Sequence, residues 1–383
     1  MKAAKPLKID ASVLREATTL RRDLHAHPEI ANQEQGTARR IREFLGDHGL
    51  KAWRKNLGGH GLLFQIEGNE AGSRVLLRAD LDALPIDEQN RVPHRSKNPG
   101  NHHACGHDGH MAMLAAALAQ LSKEPEFSGT AYGLFQPAEE TGEGAARVLA
   151  DLGSTFKFDE AYAIHNYPGL PIGSLGVRTG TAAKPSMGLA IELTGRRTHA
   201  SEPELGRNPI PTLGRVANDI QRQPTPVARR RTAFATIVGL DSGPTNYGVS
   251  PASARLALTL RGNTQIQLDR LRARILEMAV RRATEDRLAI QVRERDVFRE
   301  TRNHPHAVRR ASDAARSAGL SIVTMRQPLS ASEDFGRFTE RAQGALLLLG
   351  AGRTQAPLHS AGYDFPETIL DPGARLWLSL LKS

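Results

Sequence analysis

The sequence predicts an α/β protein on a mainly parallel mixed sheet, interrupted by an inserted ferredoxin-like α+β domain. Three observations carry that expectation. At 383 residues the chain is longer than one ordinary core serves, so two domains are the starting point. Apolar runs alternate with helical patterns up to about Arg178 and again from Pro305, the mark of strands and helices in parallel layers. Between these stretches the runs alternate residue by residue, in the order strand–helix–strand–strand–helix–strand. The expected division is 1–178 with 294–383 for the main domain and 179–293 for the insertion.

From residue 14 to 46 the apolar positions recur at helical spacing, interrupted at His27-Pro28. Residues 61–66 and 74–79 read as strands, the second buried because Val75-Leu76-Leu77 is continuously apolar. Residues 111–121 are rich in Ala and Leu and long enough for a helix buried on most sides. A strand at 130–135, a helix at 144–150 and a strand at 161–165 follow. In such sheets ligands sit beyond the carboxyl ends of strands, where Asp80, Glu139 and His165 fall. In the insertion, 186–194 sets Met187, Leu189, Ile191 and Leu193 on one face, and 209–222 reads as a helix. Residues 232–238 and 254–261 alternate, 266–284 is a long amphipathic helix, and 288–292 a last strand. A helix at 305–318 and strands near Ile322 and at 345–349 then bring His359 back to the first domain. No internal repeat is found.

No run approaches the ~18–20 apolar residues that cross a bilayer. The basic start Met1-Lys2-Ala3-Ala4-Lys5 is not followed by the apolar stretch of a signal peptide. A single cysteine excludes a disulfide framework, and a thiol that holds metal suits a reducing compartment, so cytoplasm is expected. The net charge of +10 permits a polyanion partner. Yet Arg229-Arg230-Arg231, Arg281-Arg282 and Arg309-Arg310 are scattered, with no zinc-finger spacing, RNP-like motif or basic tail beside them. A solvated basic surface is the better reading: no nucleic acid, no membrane, and a positive cleft that favours anionic substrates.

The chemistry is concentrated in residues 103–110, His-Ala-Cys-Gly-His-Asp-Gly-His. Thiolate and imidazole nitrogen are the ligands zinc and its neighbours prefer, whereas an isolated Cys-x-His is more often a buried free thiol. Here the rest of a metal site is present. Glu139-Glu140 follow the apolar run ending at Phe135, His165 ends another, and His359 follows a third. Paired acids often mark only a helix N-terminus. A metal hydrolase, however, needs one carboxylate on the metal and a second, unbound, to take a proton from water. Adjacent residues at a strand-to-helix turn point in different directions and supply both. Taken singly, His165 and His359 are ordinary strand-end histidines; with Cys105 and His107 they become candidate ligands. Asp80 and Asp82 are turn residues or acids that orient a metal-bound histidine. Asp108 is equally open, and His102, His103 and His110 are supporting or incidental. His-Glu-x-x-His, Gly-x-Ser-x-Gly, Walker and dinucleotide-binding motifs are all missing.

Together these residues resemble the amidohydrolase branch of the aminoacylase/carboxypeptidase metallopeptidase family, which includes hippurate hydrolases, N-acyl-amino-acid amidohydrolases and hydrolases of auxin–amino-acid conjugates. The matching segments run through nearly the whole chain. They are Arg22-Asp23-Leu24-His25-Ala26-His27-Pro28-Glu29, residues 77–86, residues 103–110, Phe135-Gln136-Pro137-Ala138-Glu139-Glu140, Ser332-Glu333-Asp334-Phe335, Leu358-His359-Ser360 and Tyr363-Asp364-Phe365.

The resemblance implies a di-metal, exopeptidase-like catalytic domain with an inserted satellite domain. It implies that Cys105, His107, Glu140, His165 and His359 bind two divalent metals, Zn2+ or Mn2+, with Co2+ or Ni2+ as further possibilities. Glu139 is then the general base, with Asp80 counted among the catalytic acids. His199, in Gly195-Arg196-Arg197-Thr198-His199-Ala200, stands where the family carries an oxyanion-holding histidine. The implied substrate is an N-acyl amino acid or similar small amide. The excess of arginine and lysine makes a substrate carboxylate the expected anchor, with Arg207 and Asn208 as candidates and Asn246 a further substrate-binding candidate, in a homodimer joined through the satellite domain. A dipeptidase or xenobiotic amide hydrolase is the neighbouring reading. A basic polyanion-binding protein on the same scaffold would have no need of all six site groups. Two departures touch the substrate rather than the reaction: Arg196-Arg197-Thr198 replaces a glycine-rich stretch, and Asn246-Tyr247-Gly248-Val249-Ser250-Pro251 replaces Asn-Val-Ile-Pro.

Overall fold

The computed structural model describes residues 8–222, 232–243 and 246–382; the cluster Arg229-Arg230-Arg231 lies outside them. The described chain divides into two compact units. The first holds residues up to Ala182, Thr301–Leu329 and those from Glu333 on; the second holds Ala183–Glu300 and Ser330–Ser332.

In the first unit eight strands form one mixed sheet. Their order is Arg54–Leu57, Gly61–Glu67, Ser128–Gln136, Glu70–Asp80, Glu160–Tyr167, Gln343–Gly350, Ser174–Val177 and Ser321–Thr324. Glu70–Asp80 runs parallel to both its neighbours, and Gln343–Gly350 runs parallel to Glu160–Tyr167. The sheet turns antiparallel at the Gly61–Glu67 edge and where Ser174–Val177 meets Gln343–Gly350. Arg54–Leu57 and Ser174–Val177 were not foreseen, because four residues are too few to show a period.

The helix His107–Lys123 is buried from His107 through Leu121, as its alanines and leucines predict. It starts four positions before the apolar run suggested, at the first histidine after Gly106. Its packing is close: a Cβ on Gly133 of the central strand Ser128–Gln136 would collide with the Leu118 side chain. Helices Ala11–Ala26 and Leu370–Lys382 contribute Leu20, Leu24, Leu376 and Trp377 to the same core.

Register then decides what meets at the carboxyl ends of the strands. Asp80 pairs with Gln136, so Glu139 and Glu140 come just beyond Asp80. Arg78 pairs with Ala163, and Leu348 with His165, which carries His165 to the same end and places His359 past it.

In the second unit, Ser186–Thr194, Ala233–Asp241, Ser253–Gly262 and Ala289–Phe298 form an antiparallel sheet, with Ser253–Gly262 and Ser186–Thr194 in the middle. The helices Ile210–Gln221 and Gln265–Glu285 complete the ferredoxin-like order. Met187, Leu189, Ile191 and Leu193 are buried on the face their alternation selects, against Leu213, Val216 and Ile275. The last strand runs to Phe298, which pairs with Ser186, so this unit extends past the expected boundary at 293. Among the described residues, no helix is long and apolar enough to cross a membrane.

Candidate active site

Three local backbone features aim the candidate side chains. Gly106 takes φ +88, and a Cβ there would sit 2.6 Å from Asn166 Oδ1, so the sharp entry into the following helix needs glycine. Cys105 therefore precedes the helix and His107 opens it. Ala138 and His359 adopt left-handed backbone without being glycine, at φ 52 and φ 61. Such positions cost on the order of 1–3 kcal/mol and persist where the surroundings impose them. The His359 N–H donates to the Ala104 carbonyl at 2.9 Å, which ties the C-terminal loop to the segment carrying Cys105.

The ligating atoms of Cys105, His107 and His165 lie within 4.8 Å of one another, as do those of Cys105, Glu140 and His359. Cys105 belongs to both groups. Its Sγ is 3.5 Å from His165 Nε2, and Glu140 Oε1 is 3.5 Å from His359 Nε2 and 3.8 Å from His107 Nε2. Glu139 Oε2 stands 4.0 Å from His107 Nε2. The histidines are oriented from behind: His107 Nδ1 donates to the Asp82 carbonyl at 2.8 Å and His165 Nδ1 to the Asn166 carbonyl at 2.7 Å. Both Nε2 lone pairs are thus turned toward the cluster.

The donor set fits divalent cations. His107 Nε2 and Glu140 Oε1 are buried without a hydrogen-bond partner, which is costly unless something else satisfies them. Burial, with Glu140 nearby, pushes the Cys105 thiol well up. Burial and the neighbouring Glu333 and Glu140 push Glu139 well above the carboxylate range. Burial raises Glu140 to about 7, against the pull of His107. Three acids pressed together in this way need positive charge to ionise, and a metal ion is the usual complement. Burial and His110 hold His165 at about 3, in the neutral form that ligates; burial lowers His359 as well. His107 goes the other way, because Asp80 and Cys105 outweigh its burial.

Asp80 does not hydrogen-bond a candidate ligand as expected. Its Oδ1 accepts from His110 Nδ1 at 2.7 Å and its Oδ2 from Arg78 Nη1 at 2.8 Å, with His107 Nε2 at 3.6 Å. Of the two acids that could orient a histidine, Asp82 does so through its backbone carbonyl, which holds His107, while its Oδ2 accepts from the Glu140 N–H at 2.9 Å. His110 packs edge-on to His165, with ring centroids 4.7 Å apart. His102 and His103 are buried beside them.

Arg78 and Asn166 were missed. Arg78 Nη2 reaches Asp334 at 2.7 Å and Glu333 at 3.1 Å, and the Asp334 N–H lies 3.4 Å from Glu139 Oε1. A lone arginine inside the apolar run Val75 to Ala79 was the available signal, since a buried charge demands partners.

His199, Arg207, Asn208 and Asn246 belong to the second unit, and all four are exposed. His199 pairs with Val249 in a two-strand ribbon, and its Nδ1 bonds Ser201 Oγ at 2.6 Å. The two departures from the family pattern are therefore opposite sides of one ribbon. Arg207 Nη1 donates to the Arg287 carbonyl at 3.2 Å, Asn208 Oδ1 accepts from the Ile210 N–H at 2.9 Å, and Asn246 Oδ1 from the Gly248 N–H at 2.9 Å. The two asparagine side chains thus serve their own loops, whereas Arg207 reaches a carbonyl 80 residues along the chain.

The sequence profile of peptidase family M20/M25/M40 matches residues 76–383. N-acetylcysteine deacetylase of Bacillus subtilis is 30% identical over 344 residues, 89% of this chain and 90% of its own. Hippurate hydrolase of Campylobacter jejuni is 27% identical over 370 residues, 95% of each chain. Among solved structures, the YXEP protein of Bacillus subtilis, described as a dinuclear metal binding peptidase of the M20 family, aligns with a TM-score of 0.81 at 26% identity. That alignment covers 97% of this chain and 98% of the other.

Proposed function

This chain belongs to peptidase family M20/M25/M40 and is a metal-dependent amidohydrolase, and from that premise we propose that it hydrolyses N-acyl amino acids or similar small amides. Cys105, His107, Glu140, His165 and His359 hold two divalent cations in this reading, zinc or manganese by their donor types. The observation that carries it is the pair of buried, unpartnered atoms His107 Nε2 and Glu140 Oε1 amid the other three ligands. Divalent cations held there would lower the pKa of water toward neutrality and polarise the amide carbonyl.

Glu139 does the proton work. Its carboxylate takes the proton of the attacking water and returns it to the leaving nitrogen. Burial and the neighbouring Glu333 and Glu140 raise its affinity for a proton, which suits a group that must accept one. Asp82 holds the His107 ring and the Glu140 backbone, while Asp80 acts at one remove through His110. We assign His199 to the developing oxyanion and Arg207, Asn208 and Asn246 to the substrate carboxylate. The edge strand Ala233–Asp241, with Val238 and Leu240 61% and 52% exposed, is the surface we assign to homodimer pairing. A reducing compartment, the cytoplasm, suits the single thiol.

Removal of metal with a strong chelator should abolish hydrolysis, and zinc, manganese or cobalt should restore it. Full activity in a demonstrably metal-free preparation would overturn the reading. An N-acyl amino acid should exceed its amide in kcat/KM by roughly ten- to a hundredfold, the ~1.5–3 kcal/mol of a charge-assisted hydrogen bond. Equal values would remove the carboxylate anchor and leave the amidohydrolase standing.

A further inference from the structure

The backbone turn that carries Glu139 and Glu140 is held from below by two carboxylates. On one side the Glu140 N–H donates to Asp82 Oδ2 at 2.9 Å. On the other, the N–H of left-handed Ala138 donates to Glu34 Oε1 at 2.8 Å. The same oxygen accepts from the Asn32 N–H at 2.9 Å.

Glu34 is wholly buried, and its other oxygen, Oε2, has no partner. It stands at the start of the helix Gln35–Asp47, where its carbonyl accepts from the Ala38 N–H at 2.9 Å, yet its side chain makes no capping bond to that helix. A buried carboxyl at a helix start that makes no capping bond to that helix is poorly explained by helix capping. Its one long-range bond goes to the residue before the general base.

We propose that Glu34 is a positioning residue for the proposed catalytic turn: its carboxyl holds Ala138 in left-handed backbone, and that conformation sends Glu139 and Glu140 in different directions. This rests on the roles assigned to those two acids above. Without the acceptor, the Ala138 N–H would be buried and unpaired, and the residue would relax to negative φ, where L-residues are unstrained. The following peptides would rotate with it and displace both carboxylates. Displacements of about 1 Å at a reacting centre cost about a hundredfold in rate.

The full-length, zinc-loaded protein tests this with three variants beside the wild type. Glu34→Gln keeps an acceptor at Oε1, so kcat should stay within about threefold. Glu34→Met fills the space without an acceptor; kcat should fall about ten- to a hundredfold, and zinc should be lost sooner on dialysis against a chelator. Adding Ala138→Gly to Glu34→Met should restore both kcat and zinc retention, because glycine takes positive φ unaided. The melting temperature of the double variant should stay below wild type, which separates positioning from bulk stability. Wild-type kcat and zinc retention in Glu34→Met, or a double variant no better than the single one, would overturn the proposal. So would a loss of more than tenfold in Glu34→Gln, an arm that stands even if Glu34→Met does not fold. A wild-type protein that holds two equivalents of zinc but cleaves no N-acyl amino acid counts against the amidohydrolase reading alone; zinc retention still decides on Glu34.

Discussion

Glu139 and Glu140 differ by one peptide unit, but their surroundings differ in kind. Glu140 Oε1 faces His359 and His107, whereas Glu139 Oε1 is 3.4 Å from the Asp334 N–H beside the Arg78 network. Those neighbours set the expected behaviour of single substitutions. Glu139→Gln should lower kcat by ~10²–10⁴, typical of a general base, with metal content unchanged. Glu140→Gln should lose metal affinity first. Elemental analysis and single-turnover rates on the two purified variants distinguish these outcomes, and the reverse pattern would exchange the roles. Cys105→Ser should also weaken metal retention, since a hydroxyl is a far poorer ligand than a thiolate.

At the level of elements, the helices Ala11–Ala26 and His107–Lys123 are joined by buried charge. Arg21 Nε lies 2.8 Å from Asp108 Oδ2, and His25 Nδ1 donates to the same oxygen at 2.8 Å. His25 Nε2 bonds Glu88 Oε1 at 3.1 Å. Burial opposes a charged His25, but Asp108 and Glu88 outweigh it and raise the ring from 6.5 to about 9. A group whose pKa is raised on folding stabilises fully below its unfolded value, and that contribution disappears as pH rises through the folded value. The window is therefore pH 6.5 to about 9. Across it the contact should lose roughly 3 kcal/mol of stability. Denaturant melts of wild type and His25→Asn should converge as pH rises through this window. A gap that stays constant from pH 6.5 to 9.5 would show that His25 is not protonated in the folded protein.

The whole molecule raises the question of subunits. The first unit contains every candidate ligand and the proposed general base, and His199 lies in the second. If His199 serves the oxyanion, His199→Ala should cost on the order of 10²–10³ in kcat with little change in metal content. Mixing inactive His199→Ala with inactive Glu139→Gln under subunit exchange tests whether a homodimer shares its sites. Hybrids regain one working site if His199 acts in its partner, and none if it acts within its own chain. Unchanged activity in His199→Ala alone would leave it an exposed histidine bonded to Ser201.

The sequence alone determined which chemical groups are available and near which strand ends they stand. A lone Cys-x-His, paired glutamates after an apolar run and two strand-end histidines are local facts, set by composition and period. The ferredoxin-like order was legible for the same reason: alternation at 186–194 and 254–261 selects a buried face without knowledge of its partner. Partnership itself was decided only in three dimensions. Glu70–Asp80 lies between Ser128–Gln136 and Glu160–Tyr167, strands that follow it after long crossovers, and no periodicity encodes that order. It is this order that lets Asp82 rather than Asp80 hold His107, gives Arg78 its acids at 333 and 334, and brings Glu34 under Ala138. Such contacts join residues far apart in the chain, and short-range pattern carries no information about which distant donor a buried acceptor will meet.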